Sequence, residues 1–202
     1  MNIKELRKPE FPVDSIFIYR WSPRAMSGEV ISKGELMPLF EAAKWAPSSY
    51  NNQPWRFLYA IKDTVYWKIF FDLLTDFNKQ WVKNAGALIL VLSKKNFEFN
   101  NKPSVTHRFD TGSAFENLML QGNLLGYVVH AMEGFDYNKA RKELNISDNY
   151  DIECMVAVGK PGKKGDLPDE LNKQESPSQR KKINEIAFEG SMNAEVPNVN
   201  KS

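Results

Sequence analysis

The apolar residues of the chain recur with two periods, and these periods predict helices that alternate with strands. Apolar residues three and four positions apart predict a helix from Ser32 to Trp45, which Ser32 and Glu35 would begin as a capping box. The same spacing predicts a long helix over Asp110–Leu125, whose apolar residues lie on two sides and indicate burial nearly all round. Shorter elements follow the same rules: helices over Thr64–Leu74, Asp136–Leu144 and part of Ser178–Phe188, and strands over Arg56–Ile61, Ala85–Ser93, Tyr127–Ala131 and Ile152–Val158.

This alternation indicates a layered fold, either α+β or α/β, around one central sheet. A chain of 202 residues is long enough for one substantial domain, and no linker interrupts Ile16–Val158. We therefore predict an N-terminal extension at 1–15, one domain at 16–190 and a C-terminal tail at 191–202. The tail is polar and rich in asparagine, so it is expected either to be disordered or to lie across a partner subunit.

Composition narrows the classes of partner. Lys and Arg number 27 against 25 Asp and Glu, a net charge of +2, which gives no electrostatic footprint for nucleic acid or an anionic membrane. No apolar run reaches the roughly 18 residues of a membrane-spanning helix. The single cysteine, Cys154, excludes an intrachain disulfide framework and a multi-cysteine zinc site, and it fits a reducing compartment. We expect a cytoplasmic protein without a metal, a nucleic-acid partner or a membrane partner.

Three polar side chains alternate along the segment that precedes the first long helix. Arg20, Ser22 and Arg24 are two positions apart, so in extended backbone they point to one side. The row offers two guanidinium groups and a hydroxyl, a donor set that suits a phosphate with a polar heterocycle beyond it. A solvated basic edge is the alternative interpretation.

Three further segments carry polar groups for a ligand. Residues 46–55 hold two serine hydroxyls and three side-chain amides that suit a heterocycle edge, although Ser and Asn also favour turns for local reasons. Residues 130–136 run from a strand end into a helix start, where unpaired N–H groups and Gly134 permit close approach of a ligand or form a simple turn. Residues 180–182 are three cations at a predicted helix start, which an anion would stabilise, or else they are a solvated charge run.

In this order, the segments resemble the FMN-dependent nitroreductase family. Arg-Trp-Ser-Pro-Arg at 20–24 looks like the family's N-terminal cofactor signature, and Pro-Ser-Ser-Tyr-Asn-Asn-Gln-Pro-Trp at 47–55 looks like its Ser/Asn loop. Met-Glu-Gly-Phe-Asp at 132–136 is similar to the segment that passes the flavin's reactive edge. The resemblance implies an α+β fold with a central, mostly antiparallel sheet flanked by helices, an FMN-binding domain at 16–190 and a domain-interlocked homodimer.

The resemblance also implies roles for individual residues. Arg20, Ser22 and Arg180 would hold the phosphate end of FMN, while Arg24 would lie at the N1–O2 edge of the ring. Ser48, Ser49 and Asn51 would reach the flavin from the partner subunit, and the backbone of Glu133 and Gly134 would face N5. The expected cofactor-binding residues are Arg20, Trp21, Ser22, Arg24, Pro47, Ser48, Ser49, Asn51, Met132, Glu133, Gly134 and Arg180.

The implied activity is electron transfer from NADH or NADPH, the transient donor, through bound FMN to small organic acceptors such as nitroaromatics and quinones, by a ping-pong mechanism. The chain has no Gly-rich dinucleotide fingerprint, so the nicotinamide would visit the flavin face. No catalytic side chain is expected: His107 and His130 lack metal-ligand spacing, and Cys154 is expected to be a buried thiol. The alternatives are a related flavoenzyme for reductive dehalogenation or flavin breakdown, and a non-enzymatic flavin-binding protein.

Two departures from the family pattern limit what the resemblance implies. Ser178 stands where many relatives have a basic residue two positions before the arginine. The stretch between Leu74 and Asp110 is shorter than in the larger members, in which helices cover the active site. The choice of substrate therefore does not transfer.

Overall fold

The computed structural model describes residues 3–192, with the exception of the Lys4 side chain. The strands are β1 (Trp55–Ile61), β2 (Ala87–Lys94), β3 (Val128–Met132) and β4 (Tyr150–Gly159). The α-helices are α1 (Ile3–Leu6), α2 (Ser15–Tyr19), α3 (Lys33–Lys44), α4 (Trp67–Asp72), α5 (Asp76–Val82), α6 (His107–Leu124), α7 (Tyr137–Glu143) and α8 (Asp169–Gln174). Three-residue 3₁₀ turns occur at Ser49–Asn51, Lys164–Asp166 and Ile183–Glu185.

The strands form one antiparallel sheet in the order β1-β2-β4-β3. The two central strands are buried because apolar layers cover both faces of the sheet, and β2 is a continuous apolar run, as a strand buried on both sides must be. β1 and β3 are the two edges, three strand spacings or about 14 Å apart. This α+β architecture confirms the predicted fold class.

Two hydrophobic clusters sandwich the sheet. Helices α3 and α6 cover one face, where Leu39 and Leu118 are fully buried. Helices α4, α5 and α7 cover the other face, where Trp81 is buried in the centre of the layer.

Several local predictions are confirmed. Ser32 caps α3, its hydroxyl accepts from the backbone N–H of Glu35, and the Glu35 carboxylate accepts from that of Ser32, as a capping box requires. Asp136 caps α7 by accepting from the backbone N–H of Lys139. The long helix begins at His107, three residues before the predicted start.

The short helix predicted within Ser178–Phe188 is reduced to one 3₁₀ turn, Ile183–Glu185. The rest of that segment has no regular helix or strand. Its polar groups bond to the N-terminal segment instead: the Ser178 carbonyl accepts from Arg7, and the N–H of Ile183 donates to Glu10. The helix of this region is α8, just after Pro168, with acidic residues in its first turn and Leu171 buried.

Helix α6 also differs from its prediction of nearly all-round burial. Leu118 is buried against the sheet, but Phe109 and Leu124 are 77% and 67% exposed. Val105, just before the helix, is 95% exposed. An apolar face of α6 is thus uncovered in the single chain. Among residues 3–192, we find no helix that combines the length and the apolar character required to cross a membrane.

Candidate functional site

The first candidate segment, residues 20–25, lies beside edge strand β3. The ring of His130, on β3, bonds through Nδ1 to the Pro23 carbonyl at 2.9 Å, and since a carbonyl only accepts, Nδ1 carries the proton. Farther along, the N–H of Gly162 donates to the Ala25 carbonyl at 3.0 Å. The row of polar side chains is therefore fixed beside the sheet edge by one ring-to-backbone contact and one backbone contact, each between residues more than 100 positions apart.

The side chains of this segment point alternately to two sides. Nη1 of Arg20 lies 3.4 Å from the Ser22 hydroxyl, so these two groups share one side. Trp21 and Pro23 point away from that side into a cavity of about 490 Å³. The structure thus places the Trp21 side chain opposite Arg20 and Ser22, in the manner of extended backbone.

Arg24 is the member of the row whose side chain has a buried donor atom to offer. Its backbone N–H donates to Oε1 of Glu175 at 2.8 Å, and so does the N–H of Ala25. Its side-chain Nε is buried and finds no hydrogen-bond partner among the described residues. A buried donor without a partner costs about 1–3 kcal/mol, so this guanidinium is suited to an acceptor from a ligand.

His130 adds a neutral aromatic group behind Arg24. Burial lowers the pKa of this histidine below 6.5, and the nearby positive charge of Arg24 lowers it further. The ring packs on Trp81, with centroids 4.7 Å apart. The uncharged imidazole therefore adds no second positive charge beside Arg24. Sequence reasoning missed this residue because its partners are distant in sequence.

The end of β3 forms the next part of the site. Met132 is buried, and the Gly134 carbonyl accepts from the N–H of Thr75 and from Nδ2 of Asn78, both at 3.0 Å. A Cβ at Gly134 would lie 2.4 Å from Asn78 Nδ2, so only glycine fits there without displacement. The exposed Glu133 precedes it. Helix α5, which the sequence did not reveal, thus fixes the conformation of this segment.

A cluster of three arginines lies at the other end of the row. Arg7 is 8% exposed and donates through Nε to the Ser178 carbonyl and through Nη1 to the carbonyls of Ile18 and Arg20, at 2.8–3.0 Å. Burial lowers the pKa of Arg7, and the positive charges of Arg180 and Arg20 lower it further. Arg20 and Arg180, which are predicted to share a phosphate, are therefore both close enough to Arg7 for their charges to repel it.

The Ser/Asn loop lies elsewhere. It leads into β1, the sheet edge opposite β3, and the N–H of Ser49 donates to Asp110 near the start of α6. Asn51 adopts a positive φ of 51°, and Pro47 and Asn51 are exposed. The Ser48 hydroxyl accepts from the N–H of Gln53. Within one chain the structure thus brings Arg20, Ser22, Arg24, the 132–134 segment and Arg180 to one region, and Ser48, Ser49 and Asn51 to another.

A cluster of three titratable side chains and the single cysteine are both explained by the structure without a catalytic role. His107, Asp151 and Glu153 offer ligand atoms within 4.8 Å of one another. However, Asp151 is already paired with Arg108 at 2.6 Å, which makes this cluster a surface ion-pair network. Burial raises the pKa of the Cys154 thiol to about 12, so the thiol is protonated and a poor nucleophile at neutral pH.

Sequence comparison relates the chain to known proteins. A family model described as the nitroreductase family matches residues 18–77 and 69–160. Protein DrgA of Synechocystis sp. is 29% identical over 160 residues, which cover 62% of this chain and 75% of that protein. The oxygen-insensitive NADPH nitroreductase of Helicobacter acinonychis is 37% identical over 130 residues, which cover 63% of this chain and 56% of that enzyme.

Structural comparison gives the same relationship. A crystal structure described as an oxidoreductase containing FMN is 43% identical and superposes with a TM-score of 0.88, over 92% of this chain and 96% of that one. A nitroreductase family protein of Clostridium difficile 630 superposes with a TM-score of 0.68 at 21% identity, over 90% of this chain and 100% of that one. The second likeness concerns the fold alone.

Proposed function

The chain belongs to the nitroreductase family, and we propose that it is an FMN-dependent oxidoreductase that passes electrons from NADH or NADPH to small organic acceptors, such as nitroaromatics and quinones, by a ping-pong mechanism. The relative described as an NADPH nitroreductase and the structure described as an oxidoreductase containing FMN support the activity and the cofactor. The observation that carries the proposal is the buried Arg24 Nε, which has no partner among residues 3–192 and lies next to a row of groups suited to a phosphate.

The donor set fits FMN at both ends. Arg20, Ser22 and Arg180 supply charge-assisted donors to the phosphate, and the positive charge of Arg7 adds to the attraction. Arg24 supplies a donor to the N1–O2 edge of the ring. The junction after β3 supplies backbone donors: the N–H of Phe135 is already bonded to Glu133 and that of Asp136 to Leu73, so we assign the N–H groups of Glu133 and Gly134 to N5.

The residues of this chain orient the cofactor and stabilise charge. Bound FMN supplies the capacity to accept a hydride from NAD(P)H and to return electrons to an acceptor. Arg24, whose backbone is held by Glu175, would stabilise negative charge at the N1–O2 edge of a bound flavin. Because His130 is neutral, it adds no positive charge beside Arg24. We assign the proton-transfer steps to no side chain of this site, since Glu133 enters it through its backbone N–H.

The proposal includes a homodimer. Ser48, Ser49 and Asn51 lie by the sheet edge opposite Arg24, so they reach a flavin only if a second chain presents them. The uncovered apolar face of α6, with Phe109 and Leu124, supports a subunit contact beside this loop. The predicted role of the C-terminal tail in that contact concerns residues 193–202, which lie outside the described part of the chain.

Steady-state kinetics test the activity. Oxidation of NADH and NADPH is followed with menadione and with a nitroaromatic as acceptors, with both substrates varied. Parallel double-reciprocal lines are expected, because a ping-pong enzyme releases its first product before the acceptor binds. A flavin-loaded protein that oxidises neither nucleotide would support the non-enzymatic alternative. Rapid reduction by NAD(P)H without turnover of these acceptors would support a related flavoenzyme with other chemistry.

Light scattering tests the dimer. The Phe109→Glu substitution places a charge on the uncovered face of α6 and should convert the protein to a 23.2 kDa monomer with weakened FMN binding. Val65→Glu is the matched control, since Val65 is 83% exposed in the turn after β1. A wild-type protein that binds FMN fully as a monomer would refute the two-chain site.

A further inference from the structure

The N-terminal segment contributes a buried cation that the recognised sequence motifs do not include. Arg7 follows α1 and is 8% exposed, a rare state for an arginine. Its guanidinium donates to three main-chain carbonyls, those of Ile18, Arg20 and Ser178. Because each of these carbonyls accepts a charge-assisted bond, the backbone at residues 18–20 and the backbone at residue 178 are fixed relative to each other.

These carbonyls belong to the two segments that carry the proposed phosphate ligands. Arg7 donates to the Arg20 carbonyl at 2.8 Å and to the Ser178 carbonyl at 2.9 Å. Ser178 precedes Arg180 by two residues. Nη1 of Arg180 is itself 2.9 Å from the Ser178 hydroxyl, so the position of Ser178 influences that of Arg180. A single side chain therefore connects the two arginines through their backbones.

The N-terminal segment and residues 178–183 are joined by further bonds. Gln179 donates through its side chain to the Leu6 carbonyl, and the N–H of Ile183 donates to Oε1 of Glu10 at 3.0 Å. Arg7 is the buried centre of this contact, whereas Glu10 and Gln179 are exposed. The contact depends on residues 171 to 173 positions apart, so it forms only in the folded chain.

The electrostatics of this region favour an anion. Three guanidinium groups lie near one another, and the pKa of Arg7 is lowered by its burial and by the charges of Arg180 and Arg20. Arg20 has a loose ion pair with Glu116, whose Oε1 is 4.0 Å from Nε, the outer limit of an ion pair. Holding three like charges together costs free energy, and a bound phosphate would relieve that repulsion.

We propose that Arg7 is a positioning residue for the phosphate end of the cofactor site, because its guanidinium sets the separation of Arg20 and Arg180. This inference rests on the proposed FMN site. It assigns to the N-terminal segment a role in selecting the phosphorylated flavin over the unphosphorylated one. Arg7 acts by positioning Arg20 and Arg180 and not by contacting the phosphate, since its own donors are directed to backbone carbonyls.

The test compares FMN with riboflavin, which has the same ring and no phosphate. Affinities of the apoprotein for both are measured by fluorescence quenching for wild type, Arg7→Lys, Arg7→Gln and the control Lys8→Gln. Lys8 is the exposed neighbour of Arg7, so its substitution removes the same charge. Arg7→Lys keeps the charge but cannot span three carbonyls. Urea unfolding of each apoprotein gives the folded fraction.

Arg7→Lys and Arg7→Gln should each weaken FMN binding about tenfold and riboflavin binding less than about twofold, because misplaced arginines lose charge-assisted phosphate bonds. Lys8→Gln should leave both affinities nearly unchanged. Should one Arg7 variant fail to fold, the other decides the result. An unchanged FMN-to-riboflavin ratio, or an equal loss for both ligands, would overturn the inference. A wild-type protein that binds neither flavin would instead refute the proposed function.

Discussion

The carboxylate of Glu175 accepts a 2.8 Å hydrogen bond from the backbone N–H of Arg24, although the two residues are 151 positions apart. The same oxygen accepts from the N–H of Ala25, and Glu175 is 4% exposed. The conformation of the Arg24 segment therefore depends on one buried side chain from the region after α8. Arg24 is in this way directed toward the proposed flavin edge by a residue outside every recognised motif.

Glu175→Ala should destabilise the apoprotein by about 1–3 kcal/mol, because it leaves two buried N–H groups without an acceptor. Glu175→Gln retains a carbonyl oxygen for those bonds and should cost less. Urea unfolding measures both variants, with Glu170→Ala as an exposed control from the preceding helix. If Glu175→Ala were no more destabilising than Glu170→Ala, Glu175 would not hold the Arg24 segment.

Arg24 and Arg20 should affect different properties of the flavin. Arg24→Ala should lower the reduction potential of bound FMN and slow its reduction by NAD(P)H, because the positive charge at N1–O2 is lost. Arg20→Ala removes a charge-assisted phosphate contact and should weaken FMN binding roughly 10- to 150-fold. Affinity and midpoint potential are measured for both variants. An unchanged midpoint in Arg24→Ala would place Arg24 away from the flavin ring.

Gly134→Ala should disturb the junction after β3. The added Cβ would lie 2.4 Å from Nδ2 of Asn78 and 3.0 Å from Oγ1 of Thr75, so the segment must move. We expect a loss of about 1–3 kcal/mol in unfolding free energy, typical of overpacking, and slower flavin reduction. Gly165→Ala is the matched control, since a Cβ there meets nothing within 4 Å. Equal behaviour of the two variants would contradict the assignment.

His130 should make stability depend on pH. Burial depresses its folded pKa below the unfolded value of about 6.5, so the unfolded chain binds the proton more readily. Its contribution to stability is complete above pH 6.5 and is lost as pH falls through 6.5 toward the folded pKa. In His130→Phe, the urea-unfolding midpoint should therefore depend less on pH below pH 6.5 than it does in wild type. If the midpoint changed with pH by the same amount in both proteins, the pKa of His130 would not be depressed in the folded state.

The sequence predicted the parts of this protein that local rules determine. Ser32 with Glu35 and Asp136 with Lys139 are capping pairs within three residues, and the apolar run of β2 needs no distant information. The alternation of Arg20, Ser22 and Arg24 likewise follows from extended backbone. Their resemblance to a known family then supplied the roles that spacing alone left open.

The remaining features depend on contacts between distant residues. The helix predicted within Ser178–Phe188 is reduced to a single 3₁₀ turn, because Arg7 and Glu10 bond to that segment's backbone. Arg7 and Glu175 carry no local signal at all, since their partners lie 11 to 171 positions away. His130 was set aside for lack of metal-ligand spacing, whereas its significance comes from Pro23 and from the charge of Arg24.

The central claim is that this chain binds FMN and exchanges electrons through it. The most direct measurement is the visible spectrum of the purified protein during anaerobic titration. We expect about one FMN per subunit, bleached by NADH or NADPH and restored by menadione, as a flavin in an open site should behave. A colourless protein that fails to quench the fluorescence of added FMN would contradict the account.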